Sequence, residues 1–430
     1  MRPERWYDPR RADGEGVDRP HDRGGLGRPR AHRSRDPAGG DALTGATARR
    51  VGLRIAAVAA CVLLVACSSS SSSDRTATPA GEPTATPAPY AAGRGSYGVG
   101  VTTLHLVDTS RPTAPNREAP DSLDRRFEVE VWYPAVADVA SPEARDVPVN
   151  KARGRHELII FAHGFSSFRR QSASYMQLLA SRGYVVASPD FPQSNINTPG
   201  GPRISAVLDQ PADVTFVINE LLRLNDTAGD RFAGAIDASR IGMTGHSLGG
   251  LTTILAAYGP TRDPRIKAIV AISPPGCFLP KDLGAGIEVP AMIVGGTRER
   301  VVDPGSIRQA YDAAPSPKYF VQIIGADHIK FADIDLDDSQ FADSVAKASR
   351  GDLTNDALAI TNVTHGDAAS CLRQSDEPDA PIAGARQREL LRTAAAPFFD
   401  AYLRNDGGAK SFLQDVLPTV DGIRFESSGE

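Results

Sequence analysis

The stretch that decides the fold is Arg240-Ile-Gly-Met-Thr-Gly-His-Ser-Leu-Gly-Gly-Leu251. It contains the pattern G-x-S-x-G, in which Gly245 and Gly249 flank Ser247, between a short apolar run and the helix-compatible residues 251–258. A serine on a sharp turn between a strand and a helix has its hydroxyl pushed out above the sheet. Glycines leave room for such a turn, because a Cβ there would collide with the neighbouring strand or helix. We therefore interpret Ser247 as a nucleophile rather than as part of a structural turn.

Composition and charge limit the classes of protein to which this chain can belong. The chain has 430 residues, of which 41% are hydrophobic and 23% charged, as in an ordinary globular protein. Residues 1–67 hold 13 arginines and 8 acidic residues, which leaves 35 basic and 44 acidic residues in the rest of the chain. An acidic body without a basic patch argues against a nucleic-acid partner. The cysteines form no C-x-x-C pair or Cys/His cluster, so we expect no metal site; they are Cys61, Cys67, Cys277 and Cys371.

The amino-terminal part predicts export. Residues 1–50 are rich in Arg, Pro, Gly and Asp and are predicted to be disordered. The apolar run 55–66 is too short to span a bilayer but suits the hydrophobic region of a signal peptide. It ends at Cys67, just before a serine run, which resembles the bacterial lipobox, where the cysteine is diacylated and becomes the mature amino terminus. We predict a lipoprotein signal peptide over residues 51–67 and a Ser/Thr/Pro-rich tether over residues 68–95.

A signal peptide that follows fifty polar residues is unusual. The simplest account is that translation begins near Leu43 or Val51, so that most of the first fifty residues precede the true start. The alternative is a cytoplasmic amino-terminal tail followed by an uncleaved anchor. The first account places the protein on the outer face of the bacterial cell membrane, held by its lipid.

Residues 96–430 are predicted to form one α/β domain. Residues 99–107 and 127–133 alternate apolar and polar side chains, as strands with one wet face do. Beyond His156, buried strands alternate with helices, which indicates a mostly parallel sheet with helices on both faces. Residues 331–383 break this rhythm and are predicted to be a lid-like insertion before the last helix. The predicted strands are 158–162, 185–188, 241–244, 268–272, 291–294 and 320–324, and the predicted helices are 172–182, 205–224, 248–258, 306–314 and 387–404.

An acid and a histidine follow the serine along the chain, each on a turn after a predicted strand. Glu299 comes three residues after Gly296; Asp303 is the rival acid, and we favour Glu299. His328 ends the segment that follows the last predicted strand. It is the candidate base that takes the proton from Ser247 and returns it to the leaving group. The alternative is a solvated loop histidine.

Two backbone N–H groups are candidates for an oxyanion hole. One belongs to Leu248, directly after the nucleophile, where a helix would aim its positive end at the reacting oxygen. The other belongs to Phe165, because the preceding His163-Gly164 lets the chain turn after its strand; the alternative is a plain strand-end turn. His246 is expected to point away from Ser247 and to line the pocket or to pack beneath it.

These motifs together resemble the α/β-hydrolase superfamily, and within it the branch of platelet-activating-factor acetylhydrolases, dienelactone-hydrolase-like proteins and cutinase-like polyester hydrolases. The resemblance covers about residues 127–330 and the last helix. It implies hydrolysis of carboxylic esters through an acyl-serine, without a metal or an organic cofactor. Dienelactone hydrolases proper have cysteine in place of Ser247, and polyester hydrolases tend to have methionine in place of Leu248. The motifs that carry it are Glu130-Val-Trp-Tyr-Pro134, Phe161-Ala-His-Gly-Phe165, Leu179-Ala-Ser-Arg-Gly-Tyr-Val-Val186, Gly245-His-Ser-Leu-Gly-Gly250 and Gly325-Ala-Asp-His328.

The expected function is that of an exported esterase acting on small-molecule or lipid esters. One alternative is a thioesterase or acyltransferase that uses the same serine, acid and histidine. The other is a catalytically inactive hydrolase fold kept as a binding lipoprotein. If the body is exported, Cys277 and Cys371 can form a disulfide that ties the insertion to the sheet edge.

Overall fold

The computed structural model describes residues 90–138, 140–334, 353–367 and 379–429, together with positions 336, 340 and 343. The predicted signal peptide, Cys67 and most of the predicted tether lie outside the described residues, as does Cys371. The described residues belong to one compact unit. Within the described ranges, no helix is both long enough and apolar enough to cross a membrane.

The described strands form one sheet in the order β10-β9-β8-β7-β6-β4-β5-β2-β1-β3. The run from β5 through β4, β6, β7 and β8 to β9 is parallel, whereas β2 pairs antiparallel with β1 and β5, and β10 pairs antiparallel with β9. The prediction of a mostly parallel sheet is therefore confirmed. The strands are β1 (Gly98–Asp108), β2 (Arg125–Ala135), β3 (Ala144–Arg145), β4 (His156–Ala162), β5 (Val185–Pro189), β6 (Ile236–His246), β7 (Ile266–Ile272), β8 (Ala291–Gly296), β9 (Lys318–Ile323) and β10 (Ile423–Ser428).

Helices cover both faces of this sheet, as predicted. In β4, Leu158 and Ile160 pack into one core and Ile159 and Phe161 into the other, so the strand is apolar throughout. The first core includes α2, α3 and α4, and the second includes α1 and α6. The helices are α1 (Ala173–Ser181), α2 (Gln210–Asp226), α3 (Leu248–Tyr258), α4 (Pro304–Ala313), α5 (Leu353–Thr364), α6 (Gly384–Leu403) and α7 (Gly407–Ser411).

Some elements differ from the sequence prediction. The predicted helix 205–224 is a 3₁₀ turn, Ile204–Leu208, followed by α2. Pro211 lies in the first turn of α2, where its missing N–H costs no hydrogen bond, so the α-helix starts there. Helices α5 and α7 and strand β10 were not predicted. Strand β10 lies at the sheet edge, and apolar and polar residues alternate only from Ile423 to Glu426, the shortest alternation that indicates a strand.

The carboxyl ends of the parallel strands meet at one edge of the sheet, here called the carboxyl edge. Cα partners at this edge pair Ala162 of β4 with Gly245 of β6, and Gly296 of β8 with Ile323 of β9. The loops after these strands therefore begin at neighbouring positions. These are the loops that carry the candidate oxyanion donors, nucleophile, acid and base.

The described part of the insertion packs against loops at the carboxyl edge. Asp356 of α5 is buried and accepts hydrogen bonds from Ile204 N–H (2.9 Å) and Ser205 Oγ (2.8 Å). Farther along, Asp367 N–H donates to Cys277 O at 2.8 Å. Cys277 is disulfide-bonded, but its pairing with Cys371 stays a prediction because that residue lies outside the described residues.

The end of the predicted tether lies against the domain. The Tyr90 ring is 5.4 Å from the Phe412 ring, measured between centroids, and the Tyr90 hydroxyl donates to Asp400. Arg182 donates to the carbonyl oxygens of Ala91 (2.8 Å) and Gly93 (2.7 Å). The folded body therefore includes residues 90–95, which the sequence predicts to belong to the tether.

Candidate active site

Ser247 is the one residue between the end of β6 and the start of α3. Its φ is 57° and its ψ is −122°, a backbone conformation that strains a residue with a side chain. Its N–H donates to Ile272 O of the neighbouring strand at 2.8 Å, which holds the turn against β7. Leu248 is the first residue of α3, so its N–H lies at the positive end of the helix. The turn thus has the geometry of a nucleophile elbow.

The flanking glycines are required by close backbone contacts. A Cβ on Gly249 would lie 2.0 Å from Ala162 O, and a Cβ on Gly245 would lie 2.2 Å from Gly249 O. These distances are far inside van der Waals contact, and the opposing atoms belong to the backbone. Any larger residue at either position would move α3 away from β4 and β6.

Glu299 and His328 form a buried pair. His328 Nδ1 lies 2.6 Å from Glu299 Oε2, and both side chains are 0% exposed. The other carboxylate oxygen, Oε1, accepts from Gly296 N–H at 3.2 Å and from the hydroxyl of Ser273, which follows β7. With Nδ1 directed at the carboxylate, Nε2 is the ring nitrogen that can exchange a proton with a hydroxyl.

Asp303, the rival acid, lies at the start of α4. It is the N-cap residue, and its carboxylate accepts from Gly305 N–H at 2.8 Å. Aspartate is a favoured residue at this position of a helix. The structure therefore brings Glu299, and not Asp303, against His328.

The loop that carries His328 is held from two sides. Arg298 N–H, in the turn that carries the acid, donates to Ala326 O at 3.0 Å. Gln387 of α6 is buried; its amide oxygen accepts from Asp327 N–H (3.1 Å), and its amide nitrogen donates to Asp327 O (2.6 Å). Both backbone groups of the residue before His328 are thus fixed.

The loop after β4 lies against the nucleophile, since a Cβ on Gly164 would be 3.4 Å from the Cβ of Ser247. His163 is buried, and its Nε2 accepts from Phe191 N–H (3.1 Å), which leaves the ring proton on Nδ1. Nδ1 then donates to Gly164 O at 2.7 Å. That carbonyl and the N–H of Phe165 belong to one planar peptide, so His163 also fixes the direction of this N–H.

His246 packs beneath the site. Its Nε2 donates to His328 O (2.9 Å), and its Nδ1 accepts from the Gln171 side-chain amide (2.7 Å). Burial, reinforced by the positive charge that His328 can carry, holds the pKa of His246 well below its usual value. Burial also lowers the pKa of His163. Both rings are therefore neutral near pH 7.

Three residues of this arrangement were missed from the sequence: Gln171, Ser273 and Gln387. The position of Ser273 directly after β7, between the strands that carry Ser247 and Glu299, is a signal that could have identified it. The two glutamines follow no local pattern that separates them from other glutamines. In the part of the chain that the structure describes, no group of three or more His, Cys, Asp or Glu residues could hold a metal ion.

Comparison with known proteins gives a consistent set of relatives. A family model described as PET hydrolase-like matches residues 147–348. The chain is 28% identical to "Cutinase est2" of Thermobifida alba over 175 residues, which is 40% of this chain and 52% of the relative. It is 26% identical to "Bis(hydroxyethyl) terephthalate hydrolase" of Streptomyces coelicolor over 186 residues, 42% of this chain and 53% of the relative. The chain thus spans about half the length of these curated relatives.

A solved structure extends the similarity over more of the chain. The ferulic acid esterase from Streptomyces cinnamoneus matches with a TM-score of 0.50 and 21% identity, covering 74% of this chain and 93% of the esterase. At this level of identity the match establishes a shared fold.

The buried histidines predict how stability depends on pH. In the unfolded chain a histidine titrates near pH 6.5, whereas burial lowers the folded-state pKa of His163 and His246. Below about pH 6.5 the unfolded state binds protons that the folded state does not, so the free energy of unfolding falls as the pH falls. Each such histidine contributes up to about 1.4 kcal/mol per pH unit.

Urea unfolding at pH 7.5 and 5.5 measures this slope. We expect His246→Asn to flatten it, because the variant lacks one of these groups. Equal slopes for His246→Asn and the wild type would contradict the assignment of a neutral, buried His246.

Proposed function

We propose that this chain, which has the α/β-hydrolase fold, hydrolyses carboxylic esters through an acyl intermediate on Ser247. The relatives support this class of reaction, since their names describe a cutinase, a bis(hydroxyethyl) terephthalate hydrolase and a ferulic acid esterase. We assign Ser247 as the nucleophile, His328 as general base and acid, and Glu299 as the orienting acid. The N–H groups of Phe165 and Leu248 are the proposed oxyanion donors.

The observation that carries the proposal is the buried 2.6 Å contact between His328 Nδ1 and Glu299 Oε2 on loops at the same sheet edge as the strained Ser247. A buried carboxylate against Nδ1 holds the imidazole in one tautomer and stabilises the imidazolium that forms when Nε2 takes a proton. Serine becomes a competent nucleophile only with such a base. A purely structural histidine would not require a carboxylate held by Gly296 and Ser273.

The reaction follows from these roles. His328 Nε2 accepts the proton of the Ser247 hydroxyl while the serine oxygen bonds to the ester carbonyl carbon. The negative charge then develops on the carbonyl oxygen, between the two N–H donors. The bond to the alcohol oxygen then breaks, and His328 returns the proton to the departing alcohol. Water, deprotonated by His328 in the same way, attacks the acyl carbon. The bond from that carbon to the Ser247 oxygen then breaks, His328 returns the proton to the serine, and the carboxylic acid is released.

We propose small-molecule or lipid esters as the substrates. The described part of the insertion contacts the loops after β5 and β7, and we propose that it restricts access to the carboxyl edge. A restricted edge favours compact esters over a polymer chain. The body of the chain is acidic, which gives no attraction for nucleic acid.

Covalent labelling tests the nucleophile. We expect a fluorophosphonate probe to label Ser247, as located by peptide mapping, and short p-nitrophenyl esters to be hydrolysed. Ser247→Ala should lose labelling and about 10³-fold or more of turnover, because removing one member of a triad removes most of its effect. Ser239→Ala, at an exposed position of the same strand, is the matched control.

The same assay separates the alternatives. If the acyl group is transferred to an added alcohol in preference to water, the protein is an acyltransferase and not a hydrolase. An absence of labelling and turnover in a folded protein would contradict the esterase and favour the binding-protein alternative.

Paired carboxamide variants test the acid. Glu299→Gln should lower kcat by about 10²- to 10⁴-fold, because an amide favours the wrong tautomer of His328. Asp303→Asn should stay within about twofold of the wild type, because asparagine caps a helix as well as aspartate does. The reverse order of the two effects would move the orienting acid to Asp303.

We also propose that the protein is exported and held at the outer face of the bacterial membrane by a lipid on Cys67. The support is the sequence of residues 51–73, in which an apolar run, a cysteine and a serine run follow one another. After expression of the full chain in a bacterium that processes lipoproteins, we expect detergent to be needed to release it from membranes. Cys67→Ser should be released from membranes without detergent, because the variant cannot carry the lipid. If this variant still needs detergent, like the wild type, an uncleaved anchor holds the protein instead.

A further inference from the structure

We propose that Gln171 is a positioning residue that couples the oxyanion loop to the loop that carries the catalytic base. This inference rests on the proposed function and deepens it. The oxyanion loop is His163 to Phe165, and the base loop is Gly325 to His328. Gln171 belongs to neither loop and lies just before α1.

The coupling is a chain of three hydrogen bonds. Gly164 N–H donates to Gln171 Oε1 at 2.7 Å, and Gln171 Nε2 donates to His246 Nδ1 at 2.7 Å. His246 Nε2 then donates to His328 O at 2.9 Å. Gln171, His246 and His328 are 2%, 3% and 0% exposed, so water does not compete for these bonds.

The direction of each bond is determined by the chemistry of its partners. A backbone N–H only donates, so the amide oxygen of Gln171 must face Gly164, and its NH₂ group must then face His246. Nδ1 of His246 therefore accepts, and its ring proton lies on Nε2, directed at the carbonyl of His328. Burial lowers the pKa of His246, which keeps this neutral tautomer in place.

The consequence for catalysis is geometric. Gln171 fixes the N–H of the His163–Gly164 peptide, while His163 fixes the next peptide, whose N–H is the proposed donor of Phe165. Through His246 the same amide fixes the backbone of His328. One side chain thus sets the distance between the group that stabilises the oxyanion and the group that moves the proton. An error of about 1 Å in such a distance can cost about 100-fold in rate.

A glutamine suits this position because it is neutral and has a donor and an acceptor on one planar group. Leucine would leave Gly164 N–H and His246 Nδ1 buried without a hydrogen bond, and these groups would shift to find partners. These movements would displace the oxyanion loop and the base loop and not the substrate pocket. We therefore expect the defect in kcat and not in KM.

The test compares Gln171→Leu with Gln177→Leu in the full chain. Gln177 is the matched control because it lies on α1 and bonds Glu143 (2.9 Å), away from the site. Fluorophosphonate titration gives the concentration of active sites, so that kcat is expressed per active site. We expect Gln171→Leu to lower kcat about 10- to 100-fold with KM nearly unchanged, and Gln177→Leu to leave both within about twofold.

Three results would overturn the proposal. One is a kcat per active site within twofold of the control variant, and another is a rise in KM at unchanged kcat. The third is a loss of titratable sites with normal turnover at those that remain, which indicates a purely structural role for Gln171.

A spectroscopic readout separates this proposal from the proposed function. With ¹⁵N-labelled histidine, and the His246 signals assigned by their loss in His246→Asn, we expect protonated Nε2 and unprotonated Nδ1 in the wild type. Gln171→Leu should shift the Nδ1 resonance of His246, and Gln177→Leu should not. If the wild type neither hydrolyses esters nor reacts with the probe, the proposed function fails. If the His246 signal does not respond to Gln171→Leu, the coupling itself fails.

Discussion

The close approach of α3 to β4 and β6 is the constraint on which the site depends. Gly249 lies so near Ala162 O that a single added carbon would be 2.0 Å from it. This contact fixes the start of α3 directly after β6 and forces the residue between them into a backbone conformation with φ of 57°. The strain at Ser247 persists because two central strands and a helix hold both of its neighbours. The position of the Ser247 side chain beside the N-terminus of α3 is a consequence of the same packing.

Around this turn, buried polar groups form hydrogen bonds with one another. The Glu299 carboxylate is held by Gly296 N–H and the Ser273 hydroxyl, and it presents its other oxygen to His328. Gln387 clamps the residue before His328, and His163 clamps the peptide before Phe165. In a buried setting each of these bonds is stronger than in water, and leaving one unmade is costly. The loops are therefore rigid where they bear reactive groups, although loops as a class are the variable part of such folds.

The predicted insertion, residues 331–383, interrupts the alternation of strands and helices before α6. There the described residues of the insertion pack against the loops after β5 and β7, with Asp356 buried among donors from residues 203–205. The curated relatives match about half of their length, and the family model matches residues 147–348, which end within this insertion. The family match thus covers the elbow and the strands β4 to β9. Helix α5 of the insertion lies beyond the residues that the family model matches.

Sequence alone determined the fold class, the elbow at Ser247 and the succession of serine, acid and histidine, because each depends on local pattern. Apolar runs of strand length, glycines at fixed offsets and residues just beyond a strand end all follow from neighbours in the chain. Local pattern does not determine which side chains meet across loops far apart in sequence. Only the tertiary structure brought Glu299 rather than Asp303 to His328, revealed Ser273 and Gln387 behind them, and joined Gln171 to His246 across 75 positions. Edge strand β10 escaped prediction for a related reason, since the four alternating residues from Ile423 to Glu426 indicate a strand only weakly without its pairing with β9. Contacts of this kind depend on how the strands are ordered in the sheet, which no single segment encodes.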